Sequence, residues 1–235
     1  MNIVYGMTGN LYNKIKPSVT SLLEHNDAKI YCLAEDDHVH SLPSDAIVIN
    51  VKDQKIFPRR SPNIATICTY MVLMRLVYPS LIPEDRVISL DVDTIILDSL
   101  SPIWETDMTG KWMAAVPEYR AKWRPYGDTY YNAGVAVYNL KQMREDNIEP
   151  ELVNLANTQK LRYAEQDALN YFGLMDDKIV PLPVRYNESF CCGKTNDPAV
   201  VHYAGHSDWW DNPNIDRHDI LEKYKAKLDR PPSKI

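Results

Sequence analysis

Apolar and polar positions alternate in blocks along the chain, and each block predicts one strand or helix. Residues 2–5 are apolar and β-forming, a polar turn with two glycines follows, and apolar residues then recur at helical spacing at Ile15, Val19 and Leu22. Further strands are predicted at 29–34, 46–51, 87–98, 113–116, 134–138 and 199–203. Further helices are predicted from 139, over 149–157 and from 165. Strand, glycine turn and helix in this order are typical of the α/β class.

A longer helix is predicted from Ser61 to about Tyr78, because Ser61 and Pro62 suit the N-cap and the first helical position. Its apolar positions, which share one face, are Ile64, Ile67, Cys68, Met71 and Tyr78. Arg75 falls on the same face and is therefore directed inward, where an unpaired charge is very unfavourable. Two interpretations stay open: a structural salt bridge, or a guanidinium that reaches the following aspartates or an anion bound beside them.

Two carboxylates, Asp91 and Asp93, interrupt the strongly β-forming run 87–98. In an extended chain, residues two apart point to the same face, so these two like charges are expected to lie close together. A hard divalent cation with oxygen ligands offsets such repulsion most directly. The pattern predicts half of a metal site, and its alternative is a pair of carboxylates that only cap a following turn.

The composition limits the classes of partner. The chain has 235 residues, 45% of them hydrophobic, and no Pro/Gly/Ser-rich linker, so one domain over 1–235 is expected. A net charge of -6 without a basic stripe argues against nucleic acid as a partner. No apolar run approaches the roughly 20 residues of a membrane span, and no signal-peptide pattern opens the sequence. We therefore expect no integral membrane segment and a cytoplasmic location.

Several separated motifs, in this order, resemble those of family 8 glycosyltransferases, the glycogenin-like and lipopolysaccharide galactosyltransferase-like enzymes. The resemblance runs from Asn2 to Trp210, nearly the whole chain. Its pieces are the segments 8–12, 70–76, 90–94, 131–135, 139–140, 165–170 and 202–205. Asp-x-Asp alone is weakly specific, whereas the ordered set is specific.

This resemblance implies a GT-A-like nucleotide-sugar-binding fold, with a central, mostly parallel mixed sheet flanked by helices. It also implies a metal-dependent hexosyltransferase that retains anomeric configuration. The donor would be a nucleotide-sugar, such as UDP-glucose or UDP-galactose, bound through Mn²⁺ or Mg²⁺, and the acceptor is not identified.

The resemblance also implies roles for single residues. The metal ligands would be Asp91, Asp93 and His202. The residues at the donor sugar, and hence the catalytic candidates, would be Asn132, Glu165 and Gln166. Further substrate-binding residues, at the nucleoside, the diphosphate or the Asp-x-Asp loop, would be Thr8, Asn10, Arg75, Gly134 and Gly205. The imidazole of His202 would favour Mn²⁺ somewhat over Mg²⁺.

One departure from the family pattern lies near the C-terminus. Relatives commonly continue the His-x-x-Gly motif with Lys-Pro-Trp, whereas this chain has Asp208-Trp209-Trp210. We expect another cation, Lys194 or His206, to replace that lysine. The alternatives to a transferase are a nucleotide-sugar-binding protein or donor hydrolase with weak transfer activity, and a metal-dependent phosphoesterase. The phosphoesterase lacks the dense set of His and Asp ligands that two-metal hydrolases need.

Overall fold

A computed structural model describes residues 1–64, 70–119, 129–205 and 208–228. The strands are β1 (Asn2–Gly6), β2 (Lys29–Ala34), β3 (Ile47–Asn50), β4 (Arg86–Leu90), β5 (Thr94–Ile96), β6 (Met113–Pro117), β7 (Tyr131–Asn139), β8 (Ile179–Pro181) and β9 (Val200–His202). The α-helices are α1 (Lys16–His25), α2 (Tyr78–Leu81), α3 (Ser101–Trp104), α4 (Leu140–Glu145), α5 (Glu149–Thr158), α6 (Ala164–Met175) and α7 (His218–Leu228). Short 3-10 helices span Gly9–Leu11, Val72–Val77 and Val184–Tyr186.

The centre of the fold is a seven-stranded mixed sheet with the order β3-β2-β1-β4-β7-β6-β8. Four neighbouring pairs are parallel, and the two pairs that contain β7 are antiparallel. Strands β5 and β9 form a separate antiparallel pair. The predicted α/β class and the mostly parallel mixed sheet between helices are confirmed.

Successive residues of the central strands point to opposite faces of the sheet, and along these strands both faces are buried. In β4, Val87 packs in the core cluster that α5 and α6 cover, and Ile88 packs in the cluster that α1 covers. Two-sided burial explains why most residues of β4 and β7 are apolar on both faces. Antiparallel pairing places the carboxyl end of β4 beside the amino-terminal half of β7, with Leu90 opposite Val135.

The helix predicted over 61–78 is wrong in its class and extent. Residues 61–64 form turns, a 3-10 helix covers Val72–Val77, and α2 follows; residues 65–69 lie outside the described ones. Ser61 does not cap a helix, since residues 62–64 form turns, and its hydroxyl donates to the carbonyl of Ala156 at 3.1 Å. Arg75 is nevertheless buried, as the apolar stripe predicted.

The run 87–98 is not one strand. Strand β4 ends at Leu90, a turn contains Asp91 to Asp93, and β5 begins at Thr94 in the second sheet. Thr94 Oγ1 donates to the Asp91 carbonyl at 2.7 Å and lies 3.0 Å from Ser18 Oγ on α1. The side chains of Thr94 and Ser18 are both buried. The first bond closes the turn locally, and the second ties the turn to α1, a contact that local β-propensity does not indicate.

No helix in the described part of the chain is long and apolar enough to cross a membrane.

Candidate active site

The turn after β4 and the end of β9 bring Asp91, Asp93 and His202 together. His202 Nε2 lies 3.4 Å from Asp91 Oδ2 and 3.4 Å from Asp93 Oδ1. One ligand atom from each residue lies within 4.8 Å of the other two. In the described ranges, this is the one group of three or more His, Cys, Asp or Glu side chains with such spacing. His38 and His40 are exposed and belong to no such group there.

The three residues fit a divalent cation in chemistry and in spacing. An octahedral ion with bonds of about 2.1 Å places adjacent ligands about 3 Å apart, close to the observed 3.4 Å. Two carboxylates and one imidazole suit Mn²⁺ or Mg²⁺ and leave further positions for oxygen atoms of a ligand. The predicted ligand set is therefore able to hold a metal ion.

Gly134 makes room for this group. A Cβ added at Gly134 would lie 2.7 Å from Asp91 Oδ2 and closer still to the His202 ring. The Gly134 carbonyl also accepts from the Asp91 backbone N–H at 2.8 Å. The structure therefore places Gly134, predicted as a substrate contact, directly behind the metal-ligand candidates.

Arg75 joins the aspartate turn to the start of α6. Its guanidinium forms an ion pair with Asp91 and donates to Glu165 Oε1 at 2.6 Å, and the Arg75 and Glu165 side chains are both under 10% exposed. The sequence left open a structural salt bridge and a link to the aspartates. The structure shows that Arg75 forms a buried salt bridge and that one partner is Asp91.

The charges in this cluster set its protonation. Burial alone would raise the pKa of Asp91, but Arg75 and His202 outweigh burial and lower it to about 2. Burial would lower the pKa of His202, but Asp93 and Asp91 raise it to about 10. Burial raises the pKa of Glu165, with Arg75 opposing. At neutral pH and without a metal, His202 is therefore protonated, and Asp91 beside it is ionised.

Asn132 and Gln166 lie beside the cluster, and the structure shows what occupies their polar atoms. Asn132 is buried, accepts from the Gly134 N–H at 3.0 Å and donates to Glu118 Oε1 at 3.0 Å. Gln166 accepts from the Ala133 N–H at 2.8 Å and donates to the same Glu118 oxygen at 3.1 Å. Asn132 therefore supports the site from inside, while the half-buried Gln166 sits at its edge.

The other predicted contacts lie on loops after strands. Thr8 Oγ1 donates to Asn10 Oδ1 at 2.8 Å in the turn after β1, where Thr8 is buried and Asn10 is exposed. Gly205 follows β9 with φ +81°, a backbone conformation that glycine adopts without strain.

The described residues include only Lys194 of the two replacement cations predicted near Asp208. Lys194 forms an exposed ion pair with Asp216 at 2.8 Å, and His206 lies outside the described residues. Asp208 itself is exposed and accepts from Asn212 Nδ2 at 2.8 Å.

Two buried residues of the site were not predicted. Glu118 accepts from both Asn132 and Gln166, and Asn187 contacts His202 Nδ1 at 2.9 Å. The only sequence signal for Glu118 is a carboxylate directly after the apolar strand β6. Asn187 belongs to no motif, so its position emerges only from the fold.

The family model described as "Glycosyl transferase family 8" matches residues 2–213. The glycosyltransferase GlyA of Streptococcus pneumoniae is 26% identical over 153 residues, which is 60% of this chain and 22% of that protein. The lipopolysaccharide glucosyltransferase WaaO of Escherichia coli K12 is 23% identical over 258 residues, 91% of this chain and 75% of that protein.

The crystal structure of the galactosyltransferase LgtC, in complex with donor and acceptor sugar analogs, superposes with a TM-score of 0.79. The two chains are 22% identical, and the match covers 99% of this chain and 98% of that one. The fold is therefore of the GT-A type, as predicted. Three curated relatives that are 26%, 28% and 27% identical are longer proteins, and this chain matches 22%, 44% and 62% of their length.

Proposed function

This chain belongs to glycosyl transferase family 8, and from that premise we propose that it is a metal-dependent retaining hexosyltransferase with a UDP-sugar as donor. The observation that carries the proposal is the convergence of Asp91, Asp93 and His202 at one point beside the buried Arg75–Glu165 pair. The metal would be Mn²⁺ or Mg²⁺, and the donor UDP-glucose or UDP-galactose.

The charge of the cluster supports a bound cation. Counted as formal charges, Arg75 and a protonated His202 give two positive charges and the side chains of Asp91, Asp93 and Glu165 give three negative ones, so the sum is one negative charge. A divalent ion that replaces the His202 proton brings the sum to zero. A bound ion would neutralise charge on the diphosphate leaving group.

The chain's own residues would bind and orient the donor. Arg75 keeps Asp91 ionised and in place, and Glu165 holds the other side of the guanidinium. The turn with Thr8 and Asn10 would contact the nucleoside, and Gly205 would let backbone approach the phosphates. Gln166, whose amide is fixed by Ala133 and Glu118, would face the donor sugar and stabilise positive charge at the anomeric carbon.

A thermal-shift panel of nucleotide-sugars with and without Mn²⁺ tests the donor class. A ligand at about 100 times its dissociation constant stabilises the protein by roughly 2.7 kcal/mol, which is easily measured. UDP-glucose or UDP-galactose should stabilise the protein only with the metal. Product formed on an added sugar acceptor, with the donor's anomeric configuration, separates a transferase from a donor hydrolase or a binding protein. A protein that no UDP-sugar stabilises in the presence of Mn²⁺ would contradict the proposal.

Metal binding should release protons. Because the pKa of His202 is raised to about 10 without metal, its ring is charged at pH 7, and a metal that binds Nε2 must displace that proton. We expect about one proton released per Mn²⁺, and an apparent Mn²⁺ affinity that rises up to about tenfold per pH unit from pH 6 to 8. Calorimetry in two buffers of different ionisation enthalpy counts the protons. If no proton is released on Mn²⁺ binding, the metal does not replace a proton on His202, and a protonated His202 that becomes a ligand is excluded.

Gly134→Ala should weaken metal binding because the new methyl group meets Asp91 and His202. We expect Mn²⁺ affinity to fall on the order of 10-fold to 100-fold. Gly173→Ala is the matched control: its Cβ would lie 2.7 Å from the Ile179 side chain, at a site that holds no metal-ligand candidate. That variant should lose stability but keep its Mn²⁺ affinity. Equal Mn²⁺ affinities in the two variants would show that Gly134 does not shape a metal site.

A further inference from the structure

Two buried side-chain amides, Asn187 and Asn132, are hydrogen-bonded in a row that ends at Nδ1 of His202, the ring nitrogen that faces away from the aspartates. His202 Nδ1 lies 2.9 Å from Asn187 Oδ1, and Asn187 Nδ2 donates to Asn132 Oδ1 at 2.9 Å. Asn187 is 0% exposed, and Asn132 and His202 are also buried. The contact of His202 Nδ1 with Asn187 therefore lies in the interior, and the two aspartates face the other ring nitrogen.

The backbone N–H of Gly134 fixes the direction of each hydrogen bond from Asn132 through Asn187 to His202. The Gly134 N–H can only donate, and it donates to Asn132 at 3.0 Å, so the atom that accepts must be the Asn132 oxygen. The same oxygen faces Asn187, which therefore presents its nitrogen to Asn132 and its oxygen to His202. The Asn132 nitrogen then faces Glu118 Oε1 at 3.0 Å, a carboxylate that accepts it.

The consequence for His202 is a defined ring orientation. An amide oxygen only accepts, so Nδ1 of His202 carries a hydrogen and donates to Asn187. When the ring is neutral, its lone pair then resides on Nε2, the nitrogen that lies 3.4 Å from both Asp91 and Asp93. With the opposite ring tautomer, Nε2 would carry the hydrogen and could not bind a metal.

We propose that Asn187 is a positioning residue of the metal site, which holds His202 with Nε2 directed between the two aspartates, and that Asn132 fixes the orientation of the Asn187 amide. This inference rests on the proposed metal role of Asp91, Asp93 and His202. Partners that orient a metal-binding histidine typically change metal affinity 10-fold to 100-fold when removed. Asn132, predicted at the donor sugar, thereby also has a role behind the metal site.

Mn²⁺ alone, without nucleotide, is the probe that tests the inference. Asn187→Leu keeps a similar side-chain volume and removes both hydrogen bonds. We expect its Mn²⁺ dissociation constant, measured by electron paramagnetic resonance, to rise 10-fold to 100-fold. In pulsed electron paramagnetic resonance, the hyperfine coupling between Mn²⁺ and the nitrogen of a bound histidine should disappear or change. Asn187→Asp keeps an acceptor for Nδ1, so it should retain the coupling and bind Mn²⁺ more tightly than Asn187→Leu.

Asn63→Leu is the matched control. Asn63 is also 0% exposed, and its amide bonds backbone groups of Ala156, Gln159 and Leu161. Its variant should lose stability while its Mn²⁺ affinity and nitrogen coupling stay those of the wild type. This comparison separates the loss of a buried amide in general from the loss of the bond to His202.

The outcomes are distinct. A folded Asn187→Leu protein with Mn²⁺ affinity within about twofold of wild type and unchanged nitrogen coupling would overturn the positioning role. If Asn187→Leu does not fold, Asn187→Asp decides: retained coupling supports the role and lost coupling contradicts it. A wild-type protein that binds Mn²⁺ without any nitrogen coupling would instead reject His202 as a ligand and, with it, the proposed metal site.

Discussion

Asp91→Asn and Asp93→Asn will each lower the affinity for UDP in the presence of Mn²⁺ by on the order of 100-fold, about 2.7 kcal/mol. Each change removes the charge of one of the two carboxylates that face His202 Nε2 and leaves a neutral oxygen with far weaker attraction for a cation. Asp91→Asn also weakens the ion pair with Arg75, so it should lose stability as well as affinity.

Isothermal calorimetry with UDP and saturating Mn²⁺ measures this loss. Asp98→Asn is the control, because Asp98 follows β5 and pairs with Arg185 at 2.9 Å on the surface. It should bind UDP like the wild type. Wild-type affinity in both Asp91→Asn and Asp93→Asn would mean that UDP binding does not depend on these carboxylates.

Arg75→Met will destabilise the protein and stop donor turnover. The change keeps much of the stem volume but leaves Asp91 and the buried Glu165 without their shared cation. Breaking a buried ion pair from one side typically costs about 3–5 kcal/mol, which corresponds to a melting temperature lower by about 10 °C in a chain of this size. Asp91 still faces His202, whereas Glu165 has lost its cation, so adding Glu165→Gln should restore part of that stability.

Thermal unfolding without metal and donor turnover with Mn²⁺ are the two measurements for Arg75. Arg185→Met is the surface control: its partners Asp98 and Asp197 are largely exposed, and such pairs contribute about 0–1 kcal/mol. An Arg75→Met protein as stable as that control, with normal turnover, would show that the buried pair serves neither the fold nor the site.

The inward direction of Arg75 and the proximity of Asp91 and Asp93 were both predictable from the sequence. The reason for the proximity was wrong, since the aspartates lie in a turn and not in an extended strand. A hydrogen bond between Thr94 and Ser18, which are 76 residues apart, ties that turn to α1. Local propensity carries no information on such contacts.

Asn187 and Glu118 show the other limit of sequence reasoning. Neither belongs to a motif with characteristic spacing, and each becomes part of the site only when β6 and the segment before β9 lie beside β7. Buried polar residues of this kind are recognised from their partners, which a single sequence does not list.

A calorimetric titration of the wild-type protein with UDP, first with Mn²⁺ and then with excess EDTA, tests the metal-bridged donor site most directly. If Asp91, Asp93 and His202 hold an ion that contacts the diphosphate, removing the metal should weaken UDP binding on the order of 100-fold or more. Equal affinity for UDP in Mn²⁺ and in EDTA would contradict this account.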